Sequence, residues 1–233
     1  MLNFRTLSRV AVRTAAASAA MLAFSANAAV NVLDFVGLQS GEQVLDFYNG
    51  GTGGNGSTGG ANYGISFGSD SIACTDYDHN GCNTNLIPGG PGAQIVYFLS
   101  GPGDVMNVAG GFDTGFSFYY SAIAYTGTVT VYDGVDGTGN VLATLNLGLT
   151  PNAGDPACHG AGYCPFTAAG VTFAGTARSV NFSGVADYIG FADITLGSSN
   201  AGGPPPIPEP ANIGLMMAGL AVVAGAARRR RAR

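Results

Sequence analysis

Four cysteines fall in two close pairs, Cys74/Cys82 and Cys158/Cys164, and both histidines, His79 and His159, sit beside them. Thiolate and imidazole together raise zinc as the first chemistry to test. Structural zinc sites space their ligands as Cys-x2-Cys or His-x3-His. Here Cys158 and His159 are adjacent and neither cysteine pair has that spacing, so zinc is set aside. An even cysteine count fits disulfides instead, provided that the compartment is oxidising. Three connectivities are open, and local pairing, Cys74 with Cys82 and Cys158 with Cys164, is the simplest. Closing the nine-residue loop from Cys74 to Cys82 would remove unfolded-chain entropy worth roughly 2.5 kcal/mol on the chain-entropy model. Inside that loop runs Asp76-Tyr77-Asp78-His79-Asn80-Gly81. Side-chain oxygens from Asp76, Asp78 and Asn80 followed by glycine match the first half of a calcium-binding loop. The second half does not follow, because Ile87 stands where the bidentate glutamate belongs. A calcium-stabilised loop and a polar disulfide-closed turn both stay open.

Catalytic constellations are otherwise absent. There is no Gly-x-Ser-x-Gly, no His-Glu-x-x-His and no phosphate-binding glycine loop leading into a helix. With two histidines, each beside a cysteine, a Ser-His-Asp arrangement would need a coincidence of folding. The expectation is a protein that is not an enzyme. Charge narrows the partners further. Every basic residue is an arginine, and only Arg178 lies between residues 29 and 203, against thirteen acids, so this body carries about −12 where the whole chain carries −5. Nothing in it could neutralise phosphates, which excludes nucleic acid.

The elements that must position these residues read as strands. Short apolar or alternating runs recur between turn-rich gaps at 30–35, 43–48, 64–67, 94–99, 115–121, 128–132, 141–147, 170–173, 179–182 and 188–196. Val129 and Val131 alternate with Thr128, Thr130 and Tyr132, the period of a half-buried strand. Residues 133–140 contain two Asp-Gly pairs, which supply positive φ for a hairpin loop. Many short strands without an amphipathic helical pattern predict an all-β antiparallel β-sandwich. Residues 50–60 are seven glycines in eleven with no large side chain, which predicts a mobile loop.

Both termini lie outside that body. Arg5, Arg9 and Arg13 precede an apolar run over 15–24 and the small-x-small site Ala26-Asn27-Ala28, the pattern of a signal peptide cleaved after Ala28. At the other end, a Gly/Pro linker (200–207) leads to Pro208-Glu209-Pro210, an uncharged run over 211–227, and a basic end, 228–233, with Arg228, Arg229, Arg230 and Arg231. The 17-residue run would reach roughly 25 Å as a transmembrane helix, a little short of a ~30 Å hydrocarbon core. The arginines behind it would stay on the cytoplasmic side. This tail, 208–233, resembles the PEP-CTERM sorting tail of Gram-negative bacteria. The resemblance implies an exosortase-type sorting enzyme as partner, the inner membrane in transit, and a destination at the cell surface or extracellular matrix.

The body, 29–199, carries two short stretches of its own. Leu33-Asp34-Phe35-Val36-Gly37-Leu38 and Ile189-Gly190-Phe191-Ala192-Asp193-Ile194 look like the first and last strands of jelly-roll modules, among them carbohydrate-binding modules. That resemblance implies a jelly-roll-like sandwich in which Asp34 and Asp193 hold a structural calcium between the two strands. Asp193 reads equally well as a turn-facing surface acid. Two function classes follow: an exported structural protein of the surface or matrix, associated with exopolysaccharide, or a carbohydrate-binding jelly-roll module. Sugar faces stack on aromatics, and Tyr48, Tyr63, Tyr77, Tyr97, Tyr119, Tyr120 and Tyr125 are the candidates, with no tryptophan in the chain.

Overall fold

Val129 and Val131 are fully buried while Thr128 and Thr130 between them are half-exposed. The same alternation recurs down most strands and builds a two-layer, all-β structure. The computed structural model describes residues 30–75, 94–152, 154–158 and 164–203. The signal-peptide residues Ala26 and Ala28, the loop residues Asp76, Asp78, Asn80 and Cys82, and the tail from Pro208 to Arg231 lie outside them.

Eleven strands are described: β1 (Asn31–Leu33), β2 (Ile65–Phe67), β3 (Ser71–Thr75), β4 (Gln94–Phe98), β5 (Gly103–Phe112), β6 (Gly115–Ser121), β7 (Gly127–Tyr132), β8 (Val141–Leu147), β9 (Thr167–Thr172), β10 (Ala177–Ser183) and β11 (Gly190–Leu196). The first sheet has the order β3-β4-β11-β6-β9, with β1 also paired to β11; the second runs β2-β5-β10-β7-β8. Every pairing is antiparallel. Consecutive strands such as β5 and β6, or β10 and β11, belong to different sheets, so the chain repeatedly crosses the core and closes a β-sandwich. Its interior is aromatic. Phe118 of β6 and Phe191 of β11 meet Phe182 of β10 across the layers, with ring centroids 6.3 and 4.8 Å away, within the range of favourable edge-to-face contacts.

Three expectations from sequence are corrected. Residues 43–48 do not form a strand. Gln43 makes one isolated bridge to Ile72, Leu45 takes φ 44°, and Phe47 N–H donates to the Val44 carbonyl, so the segment is a run of turns. Val44, Phe47 and Tyr48 are buried all the same, because turns can aim apolar side chains inward without period 2. Strands β3 and β5 were not foreseen. β5, the longest at ten residues, contains Gly110 and Gly111, which weaken the β signal, although Met106 and Val108 do alternate inward.

The third correction is the glycine-rich loop 50–60, which is held. Glu42 has no exposed surface. Its carboxylate accepts from Gln39 N–H (2.7 Å), Asn55 N–H (2.8 Å), Ser57 N–H (3.0 Å) and the Ser57 hydroxyl (2.5 Å). The loop is only a thin lid over this side chain. Its glycines permit close approach: a Cβ on Gly53 would lie 2.5 Å from Glu42 Oε1 and 2.7 Å from Leu38, and one on Gly60 2.6 Å from the Phe47 ring. Burial pushes the Glu42 carboxyl up, but the bonds from Gln39, Ser57 and Asn55 outweigh it and hold it below its ordinary value near 4.5. An acid with a lowered folded pKa contributes stability above its unfolded value and loses it as pH falls through the folded one. Glu42→Gln should therefore lower the melting temperature at pH 7, and Glu42→Ala should cost about 2–4 kcal/mol by stranding buried donors. In melting curves recorded from pH 7 to pH 3, the gap between wild type and Glu42→Gln should shrink below pH 4.5.

Candidate functional site

The turns between strands gather at two ends of the sandwich, and the ends differ. Strand pairing brings turns 99–102, 122–126, 148–150 and 184–189 together: β6 ends where β11 starts, β7 starts where β8 ends, and β5 starts where β10 ends. Hydrogen bonds tie the turns to one another, with Asp187 N–H on the Phe98 carbonyl, Gly184 N–H on the Pro102 carbonyl and Thr150 N–H on the Ala122 carbonyl. Six of the ten exposed large hydrophobics among the described residues lie here: Leu99, Ile123, Tyr125, Leu149, Val185 and Tyr188. Such clustering, rather than scatter, marks a surface with something to contact.

At its centre Tyr125 and Tyr188 pack edge to face, ring centroids 4.7 Å apart at 79°, each still about half exposed (46% and 48%). Two perpendicular rings make a corner: one presents a face, the other an edge. The Asp187 carboxylate sits next to Tyr188 in sequence, and its charge, added to the larger effect of burial, raises the Tyr97 phenol above its ordinary value. The corner thus combines apolar ring surface and two phenol hydroxyls, with Asp187 the residue before Tyr188 in the chain. It can stack on a flat apolar face and accept hydrogen bonds at the rim.

The other candidate tyrosines have structural roles or lie elsewhere. Tyr48 and Tyr120 are buried in the core, Tyr97 and Tyr119 pack on a second cluster of Cys74, Ile95, Phe166 and Ala192, and Tyr63 stacks on Tyr48 at 6.2 Å. Tyr77 is outside the described residues. Tyr188 was missed because it reads as the first residue of the last strand; β11 in fact begins at Gly190, after a turn in which Asp187 takes φ 66°. That Asp-led turn was the signal available.

The acids at the ends of the body do meet. β1 pairs with β11 in the register Leu33 opposite Ile194, which sets Asp34 beside Asp193. Asp193 lies at a bulge between Ala192 and Thr195 and takes φ 47°. Burial, then the charge of Asp34, raises its carboxyl pKa. Asp34 Oδ1 accepts from Val36 N–H at 3.1 Å and from the buried Tyr48 hydroxyl at 3.3 Å. Burial, with the Asp34 charge second, keeps that phenol protonated as a donor. Facing carboxylates suit a hard cation. Ca²⁺ takes six to eight oxygens, however, and no third acidic or sulfur/imidazole ligand joins the pair among the described residues. Backbone carbonyls and water would have to complete the shell.

Cys158 and Cys164 form a disulfide with Cα atoms 4.6 Å apart, as local pairing predicts. Cys74 is also disulfide-bonded; Cys82, its expected partner, lies outside the described residues.

No protein-family model and no curated protein matches the chain. Solved structures with remote similarity include the following two. One is a carbohydrate-binding module of Cellvibrio mixtus lichenase 5A in complex with cellotriose, at 15% identity and TM-score 0.33, over 55% of this chain and 98% of that one. The other comprises the carbohydrate-binding and catalytic modules of a Clostridium thermocellum endo-1,4-β-D-xylanase with xylohexaose, at 14% identity and TM-score 0.33. This chain's match to it covers 73% of this chain and spans 30% of that one.

The facing carboxylates make a direct prediction. A raised folded pKa in an acid means that stability is gained as pH falls through it. In the presence of chelator at pH 7, Asp193→Asn should therefore melt above wild type, and Asp34→Asn should bring the Asp193 carboxyl back toward its ordinary range in an NMR titration. An Asp193 titration that Asp34→Asn leaves in place would show that the two charges do not interact.

Proposed function

We propose that this chain is an exported, non-catalytic surface or matrix protein whose jelly-roll sandwich contacts exopolysaccharide. Residues 1–28 direct export, and the PEP-CTERM-like tail 208–233 delivers the body through an exosortase-type enzyme at the inner membrane. The observation that carries the carbohydrate reading is the half-exposed Tyr125–Tyr188 corner beside Asp187. Sugar rings offer an apolar C–H face to stack on and hydroxyls for a carboxylate and phenols to bind. A body of about −12 favours a neutral glycan, since a polyanion would be repelled. Calcium held by Asp34 and Asp193 serves as a structural cation in this reading, relieving the repulsion that raises the Asp193 pKa.

Two measurements test it. On an array of short neutral oligosaccharides the protein should bind, and Tyr125→Ala or Tyr188→Ala should weaken binding about tenfold without lowering the melting temperature. An array with no signal would remove the carbohydrate reading. For sorting, mass spectrometry of the surface form should find residues 211–233 missing, and Glu209→Ala should accumulate an uncleaved inner-membrane form. An intact arginine tail on surface-exposed protein would leave a plain anchor instead.

A further inference from the structure

The two sides of the sandwich treat their edge strands differently. On one side lie β2 and β3, the end strands of the two sheets, and a single segment closes both. Ile65 N–H and Phe67 N–H of β2 donate to the Tyr48 and Leu45 carbonyls. Ala73 N–H of β3 donates to the Glu42 carbonyl, and the Ala73 carbonyl accepts from Gly41 N–H. The turns over 41–48 thus occupy backbone groups that an edge strand exposes. They also help to seal the core on this side, where Phe35, Leu38, Val44, Phe47 and Tyr48 are all buried.

The opposite side ends in β8 and β9, and no segment pairs with their outer edges among the described residues. Segment 198–203 passes close by, but over the outer face of the first sheet, where the Ser117 hydroxyl donates to the Ser198 carbonyl. The core is less well covered here. Leu142, Ala143 and Leu145 of β8, with Ala169, Val171 and Phe173 on or just after β9, pack against it yet stay partly exposed. Open edges are commonly blunted by charge, proline or a bulge. β8 has one register shift, at its start opposite Tyr132, and β9 has none. Neither strand contains proline, and residues 141–152 and 164–177 hold no Asp, Glu, Lys or Arg. All thirteen acids of the body lie elsewhere.

We propose that this side is a self-association surface, where a second copy of the chain pairs antiparallel, β8 to β8 and β9 to β9. Symmetry and charge select that partner. A two-fold axis normal to the sheets sets each edge against its own antiparallel mate, so both layers continue at once. A lone extended peptide would close one edge and leave the other open. Two bodies of about −12 each repel, so they meet at least cost where neither carries charge. A cationic partner would gain nothing at a neutral edge. The partly exposed apolar side chains beside each edge would be covered by those of the other copy. Two short strands on each copy make a small interface, so the association is weak and depends on concentration.

Sedimentation velocity of the full chain, in a mild detergent that keeps the apolar run 211–227 from associating, tests this. Up to ~0.5 mM a species of twice the mass should grow with concentration, and amide hydrogen exchange in β8 should slow in step. Thr144→Lys and Ala168→Lys each change an exposed side chain on an edge strand. Each should weaken dimerisation at least tenfold, because like charges then meet across the axis, while melting curves at low concentration stay unchanged. Ser69→Lys, exposed on the closed side, should leave the dimer intact. A monomer at every concentration would overturn the proposal. So would a dimer that both edge variants leave unaltered, or one that Ser69→Lys weakens as much as they do. A dimer lost in Tyr125→Ala but kept in both edge variants would place the contact at the tyrosine corner instead.

Discussion

Two antiparallel sheets with no helix between them depend on the apolar contact across their gap. Here that contact is made by rings. Phe182 from the second sheet reaches Phe116, Phe118 and Phe191 of the first, and Phe118 also touches Phe191 at 5.4 Å. Truncating a buried phenylalanine costs about 3–5 kcal/mol, a large part of a marginal net stability. The strands that carry these rings, β6, β10 and β11, are also interior strands of their sheets. The tyrosine corner is positioned by the same inner strands, through the turns that follow β6 and β10.

The Glu42 carboxylate solves a different problem. Residues 50–60 contain no side chain large enough to bury, so apolar packing cannot order them. A buried acceptor with four donors can, because each donor left without it would lose its partner away from water. Composition alone reads such a segment as free, since glycine permits many conformations. Glycine equally permits the approach within van der Waals reach of Leu38, Glu42 and Phe47 that is seen here. What decides between the two is an acid thirteen residues earlier, and no local pattern shows that Glu42 points inward.

Much of the architecture was legible nonetheless. β6 and β8 fall at the expected residues, and the Asp-Gly loop joins β7 to β8, with Asp136, Gly137 and Gly139 at positive φ. Those segments combine clean alternation with turn chemistry. β5 was hidden by glycines, and 43–48 mimicked a strand because apolar residues recur there in turns. The proximity of Asp34 and Asp193 was anticipated from a resemblance between chain ends, and β1–β11 pairing supplies it. Tyr188 was not anticipated, because its role depends on a neighbour 63 positions away, Tyr125, and such distances are set by topology.

The acidity of the body also has a local explanation. Asp133 caps the β7–β8 loop through Asn140, Asp136 holds Asn107, Asp70 accepts from the Ser100 hydroxyl, and Asp104 accepts from the Ser71 hydroxyl and its neighbour's N–H. Hydrogen bonds from Asn140 lower the Asp133 carboxyl pKa, as expected of a carboxylate serving as acceptor. In a chain built from turns, carboxylates are useful because they accept from the backbone donors that turns leave open. Part of the negative charge is therefore used as local hydrogen-bond acceptors, without a cationic partner. Asp34 and Asp193 stand apart: their charges face each other, and turn capping does not require that.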